Sequence, residues 1–232
     1  MIKVILWDVD GTLLDFKQSE YAAIKKCFEI FDLGECTDKM IGRYSAINRQ
    51  YWENLERKEI TKPEVLVNRF IDFFETEGIQ TDCAKQFNEE YQMQLGETIC
   101  FCDQSYELLV ELKSHVKQYA VTNGTKAAQD KKLSKSGLID ILDGVFISEE
   151  VGTEKPGIEF FEKVWEKIGH YEKEEIMIVG DSLTSDIQGG NNAGILCCWY
   201  NPKGMQSELN LRMNLRIDYE IDDLQKIRNI IL

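Results

Sequence analysis

No apolar stretch in the chain approaches the roughly 20 residues that a membrane-spanning helix needs. No basic segment followed by an apolar core, as a secretory leader would show, precedes the first apolar run. A disulfide framework is also missing: seven cysteines, an odd number, are scattered over 232 residues. The expectation is a chain of the reducing cytoplasm. Cys100 and Cys102 have no second Cys/His pair at ligand spacing and read as ordinary thiols, not a metal clip. Cys197 and Cys198 sit side by side in an apolar run and should face opposite sides of a strand. Positive charge is scarce as well, with 27 Lys and Arg against 41 Asp and Glu, a net −14. That balance disfavours nucleic acid polymers and anionic membranes as partners. A small phosphorylated metabolite stays allowed, because it senses only the local field of a metal and a few lysines. Nothing in the sequence sets an oligomeric state.

What the chain does have is apolar material, 43% of its residues. That suffices for one large domain, or for one domain carrying an insertion. The organising stretch is MIKVILWDVDGTLLD, residues 1–15. Ile2, Val4, Ile5, Leu6 and Trp7 form a nearly unbroken apolar run, the composition of a strand buried on both faces of a parallel sheet. It ends in two acids, Asp8 and Asp10, before a Gly-Thr turn. Residues two apart on an extended segment face the same way, so the two carboxylates should converge. Such a pair is comfortable when a cation lies between the acids or one keeps its proton. The bland alternative is a strand ending in an Asp-Gly turn.

Residues from about 18 to 95 carry helical periodicity and almost no strand signal. Ala23, Ile24, Cys27, Phe28 and Phe31 mark a first helix. A second spans about 38–58, a third starts near Pro63, and a fourth covers roughly 82–95. Four such helices can pack into a small bundle. From Phe101 onward helices alternate with strands at 118–122, 144–148, 176–180 and 195–200. This rhythm predicts an α/β fold, a doubly wound parallel sheet with helices on both faces. Ligands of such sheets bind at the C-terminal ends of the strands.

Those ends are unusual. The second strand runs into Thr122-Asn123-Gly124, a hydroxyl followed by turn residues whose amides could hold an anion. The third leads to Lys155-Pro156. The fourth runs into Asp181 and Ser182, with Asp186 five residues after the first of them. Each piece has a modest alternative as a turn former, a helix cap or a solvated charge. Together they supply what is needed to hold a divalent cation and a phosphate.

The segments Asp8-Val9-Asp10-Gly11-Thr12, Val121-Thr122-Asn123-Gly124, Lys155-Pro156 and Gly180-Asp181-Ser182-Leu183-Thr184-Ser185-Asp186 resemble, in order and spacing, the four signatures of the haloacid dehalogenase-like hydrolase superfamily. Ala193-Gly194-Ile195 fits the usual continuation. The resemblance implies a Rossmann-like core of residues 1–15 and 99–232 with an α-helical cap of the first type at 16–98. It departs at Cys102-Asp103-Gln104, where a Pro-Gly is common and the cap rejoins the core. It further implies that Asp8 is the nucleophile and forms an aspartyl-phosphate. Asp10 would serve as general acid and base, and Mg²⁺ would be held by Asp8, the Asp10 carbonyl and Asp181. Thr122, Asn123 and Lys155 would bind the phosphoryl group, with Ser182 and Asp186 supporting the metal ligands from behind. An acid at position 10 favours a phosphate ester over a carbon–halogen bond, because an alkoxide leaving group needs a proton and a halide does not.

The substrate beyond the phosphate is read from the insertion. Tyr44, Asn48 and Trp52 are spaced by four and share a helix face, suiting either a pocket for a flat hydrogen-bonding ring or the core of the bundle. Residues 44–52 and 198–202 are similar to pyrimidine-type 5′-nucleotidases of the superfamily. The function expected is therefore hydrolysis of nucleoside 5′-monophosphates. The alternatives are a phosphatase of another metabolite, such as a sugar phosphate or phosphoglycolate, and a phosphosugar mutase.

Overall fold

The computed structural model describes residues 1–204 and 214–232. A six-stranded, all-parallel sheet runs in the order β3-β2-β1-β4-β5-β6. Its strands are β1 (Val4–Trp7), β2 (Lys117–Thr122), β3 (Gly144–Ile147), β4 (Ile176–Gly180), β5 (Leu196–Tyr200) and β6 (Tyr219–Ile221). The central strands are buried on both faces, and their side chains alternate between two cores. Ile5, Trp7, Met177 and Val179 enter one core, while Val4, Leu6, Ile176 and Ile178 enter the other. Cys198 falls in the first and Cys197 in the second, so the neighbouring thiols do face opposite ways. All seven cysteines are free. Among the described residues no helix is long and apolar enough to cross a membrane.

β6 is not among the strands expected from the sequence. The strand is three residues long with Glu220 at its centre and two exposed positions, so it carries no apolar run to detect. It forms through pairing with β5, Trp199 lying opposite Glu220.

Four helices follow β1: α1 (Phe16–Ile30), α2 (Asp38–Glu56), α3 (Lys62–Glu77) and α4 (Ala84–Leu95). Asp15 caps α1 by accepting the amides of Lys17 and Gln18. The carboxylate of Glu64 accepts the Thr61 amide at 2.7 Å at the start of α3. The four helices share an aromatic core, in which Tyr44 stacks on Phe70 with centroids 5.0 Å apart. The two strands of chain joining this layer to the sheet pair with each other: the Asp15 amide donates to Cys100 O at 2.8 Å and the Cys102 amide to Leu13 O at 3.0 Å. The turn that stands in for Pro-Gly is left-handed at Asp103 (φ 43) and Gln104 (φ 54). The Asp103 carboxylate holds it, accepting the Tyr200 hydroxyl at 2.7 Å and the Leu224 amide at 3.1 Å. The remaining helices that bear on the site are α5 (Ser105–Leu112), α6 (Lys126–Ser136), α7 (Ser148–Val151), α8 (Ile158–Ile168) and α9 (Gln188–Ala193).

Candidate active site

Strand register brings the chemistry to one edge. Trp7 is level with Ala120 on β2 and with Val179 on β4, so Asp8, Thr122 and Asp181 all lie one or two residues beyond the level at which β1 stops pairing. The Asp8 amide still donates to Val179 O at 2.9 Å, which holds the first acid against β4. Close approach then demands glycine at two points. A Cβ on Gly11, whose φ is +96, would lie 2.7 Å from Asp181 Oδ2, and one on Gly180 would lie 2.2 Å from Asp186 Oδ2.

Lys155 is the hub. It is 1% exposed, and its Nζ donates to Asp8 Oδ1 at 2.9 Å, Asp186 Oδ1 at 2.6 Å and Val121 O at 2.7 Å. Burial alone would pull its pKa down, but the carboxylates of Asp186 and Asp8 outweigh that and hold the ammonium charged. Asn123 fixes the lysine by its backbone, donating from Nδ2 to Lys155 O at 2.8 Å and accepting the Lys155 amide at 2.9 Å. Thr122 is buried, and its Oγ1 accepts the Gly124 amide at 3.0 Å, leaving its own proton to donate.

After β4 the chain makes a wide π-type turn, Leu183–Ile187, capped by Ser182, whose Oγ accepts the Ser185 amide at 3.1 Å. The Ser182 amide donates to Asp186 Oδ2 at 3.1 Å. One oxygen each from Asp8, Asp181 and Asp186 lies within 4.8 Å of the others, a set of hard oxygen donors able to hold a metal ion. Burial first, and then repulsion by Asp186, pushes the Asp8 carboxyl up to about 7, although Lys155 opposes this. A cation among these acids would relieve that repulsion.

Asp186, expected from the sequence to support the metal ligands from behind, stands beside Asp8 and Asp181. The Asp10 carboxylate turns toward α6, where Gln129 donates to Oδ2 at 2.6 Å and buried Lys132 pairs with Oδ1. Asp10 still lines the same cavity as Asp8, although the backbone leaves the strand after Trp7.

The acids form the floor of a cavity whose roof comes from the helical layer, with Trp52, Arg69 and Gln92 opposite Asp8, Lys155 and Asp181. Polar contacts close it: Lys62 donates to Ser148 Oγ at 2.7 Å and to Gly124 O at 3.2 Å, Thr125 donates to Gln92 Oε1 at 2.7 Å, and Thr184 donates to Glu56. Trp52 reaches the cavity, but Tyr44 does not: its ring is wholly buried in the aromatic core of the helical layer, which corrects its assignment to the pocket. Asn48 also lies off the wall and holds wall residues from behind. Gln129, Lys132, Arg69 and Glu56 also line the cavity and lie outside the sequence motifs. A signal for three of them existed. Gln129 and Lys132 occupy buried positions of α6, and Arg69 takes a core-facing position in α3 between Val65 and Phe73, where an apolar residue is the norm.

Burial, aided by repulsion from Asp186, pushes the Glu56 carboxyl up to about 7 from an ordinary 4.5. The folded chain therefore retains a proton that the unfolded chain releases, and stability falls as pH rises from about 4.5 to about 7. Glu56→Gln, which can still accept from Thr184, is expected to be more stable than wild type at pH 8, by about 3 kcal/mol at most. The difference should vanish below about pH 4.5. Thermal melts of both proteins across that range check it, and a difference independent of pH contradicts the assignment.

A parallel α/β core with clustered carboxylates and a buried lysine at its strand ends, roofed by helices, defines a hydrolase-type site. The haloacid dehalogenase-like hydrolase family matches residues 5–200, and the chain belongs to that family. It is 36% identical over 227 residues to the pyrimidine 5′-nucleotidase PynA of Streptococcus pneumoniae, covering 96% of this chain and 93% of the relative. It is 29% identical over 197 residues to the pyrimidine 5′-nucleotidase YjjG of Escherichia coli, covering 85% of each. Among solved structures, the HAD-hydrolase YfnB of Bacillus subtilis, crystallised bound to magnesium, superposes with a TM-score of 0.91 at 33% identity, covering 99% of this chain and 98% of that one.

Proposed function

We propose that the chain is a magnesium-dependent phosphomonoesterase that hydrolyses nucleoside 5′-monophosphates, with residues 16–98 as a cap over a core of 1–15 and 99–232. The observation that carries this reading is the meeting of Asp8, Asp181 and Asp186 around Lys155 at the floor of a single roofed cavity. Mg²⁺, held by the Asp8 and Asp181 carboxylates and the Asp10 carbonyl with Asp186 close by, would supply charge neutralisation at the phosphoryl oxygens. The chain's own residues do the rest. An Asp8 oxygen attacks phosphorus as the ester P–O bond breaks, and Asp10 gives its proton to the departing oxygen. Asp10 then takes a proton from water, whose oxygen displaces Asp8 from phosphorus. Thr122, the Asn123 amide and Lys155 hold the phosphoryl oxygens, and Lys155 offsets charge on nucleophile and phosphate together. The names of PynA and YjjG support a nucleotide as substrate.

A panel of phosphate esters assayed for released phosphate tests the reading. Nucleoside 5′-monophosphates should give the highest kcat/KM. A chelator should abolish turnover, and added Mg²⁺ should restore it and raise the melting temperature even without substrate. No release from any ester, or an isomerised sugar phosphate with little free phosphate, contradicts the proposal.

A further inference from the structure

Arg69 is 1% exposed, yet no carboxylate touches it among the described residues. Its Nη1 donates to Asn48 Oδ1 at 2.7 Å and its Nη2 to Asn88 Oδ1 at 2.9 Å, while its Nε–H has no partner. The guanidinium also packs against Phe70 and Tyr91, 4.9 and 5.2 Å from their ring centroids. A buried cation facing only neutral amides and rings is costly, and packing alone would be served better by an aliphatic side chain. The amides around it are already committed. Asn48 Oδ1 also accepts the Trp52 indole N–H at 3.0 Å, and Asn88 Oδ1 also accepts Gln92 Nε2 at 3.0 Å. Arg69 and Trp52 both line the cavity above the acids. With its N–H spent on Asn48, Trp52 offers the cavity apolar ring surface.

Charge narrows the choice of ligand. Glu20 lies one amide behind the arginine, accepting Asn48 Nδ2 at 2.9 Å, so the roof already holds a carboxylate near its cation. A ligand with a second full negative charge is not needed, whereas a carbonyl oxygen meets an unspent N–H at little desolvation cost. We propose that Arg69 and Trp52 form a subsite for a flat heterocycle, Trp52 meeting the ring and Arg69 donating to a ring carbonyl oxygen. This deepens the nucleotidase reading and rests on it.

The test compares uridine 5′-monophosphate with ribose 5-phosphate, which lacks the ring, and measures uridine binding by equilibrium dialysis. In Arg69→Gln the kcat/KM for the nucleotide should fall at least tenfold further than that for the sugar phosphate, chiefly through KM, and uridine binding should be lost. Arg69→Lys keeps the cation and guards against a Gln variant that fails to fold; it should show the same selective loss to a smaller degree. Equal losses on both substrates, or unchanged uridine binding in a folded variant, overturn the subsite. Wild type that releases no phosphate from either ester overturns the reading beneath it instead.

Discussion

Asp8→Asn is expected to reduce phosphate release to background, a loss on the order of 10⁴-fold or more, while the protein stays folded. The amide has nearly the volume of the acid, and its oxygen can still accept from Lys155 at the 2.9 Å seen for Asp8. What disappears is the anionic oxygen to which the proposed mechanism assigns the attack on phosphorus. Stability should move the other way. Burial and the charge of Asp186 push the Asp8 carboxyl up to about 7, so at pH 8 without metal the ionised acid opposes folding. The metal-free variant should therefore melt no lower than wild type at that pH, and the rise in melting temperature on adding Mg²⁺ should shrink. Residual activity within tenfold of wild type is incompatible with Asp8 as nucleophile.

For Asp10→Asn the expected loss is about 10² to 10⁴ in turnover, the usual contribution of a positioned general acid. The structure adds a complication, since the Asp10 carboxylate also pairs with buried Lys132 and accepts from Gln129 at 2.6 Å. The variant strips Lys132 of its ion pair and should cost some stability whatever the chemistry. Leaving-group dependence separates the two effects. A nucleoside or sugar alkoxide needs a proton as it departs, but a p-nitrophenolate barely does. If Asp10 supplies that proton, the loss should be large for the nucleotide and much smaller for p-nitrophenyl phosphate in the step that releases the alcohol. Equal losses on both substrates point to a structural role only.

The sheet was legible because its evidence is local. Apolar β-branched runs such as Val4–Trp7 and Ile176–Gly180 state their own conformation, and the helices between them leave few arrangements besides a parallel, doubly wound sheet. β6 escaped because pairing with β5, and not its own composition, makes it a strand. The face shared by Tyr44, Asn48 and Trp52 was equally legible, but a helix face does not say what it meets. Tyr44 went to the aromatic core, Trp52 to the cavity and Asn48 between them.

By itself the sequence determined the fold class and the kinds of side chain standing at the strand ends, since a strand's course and its exit residue depend on neighbours a few positions away. Tertiary structure decided the pairings: Lys155 with Asp8 across 147 positions, Lys132 with Asp10 across 122, and Asp186 beside Asp181 through a π-type turn. Those distances close only when helices pack on the sheet. Burial then selects which charges must find partners, and no short stretch of chain contains that information.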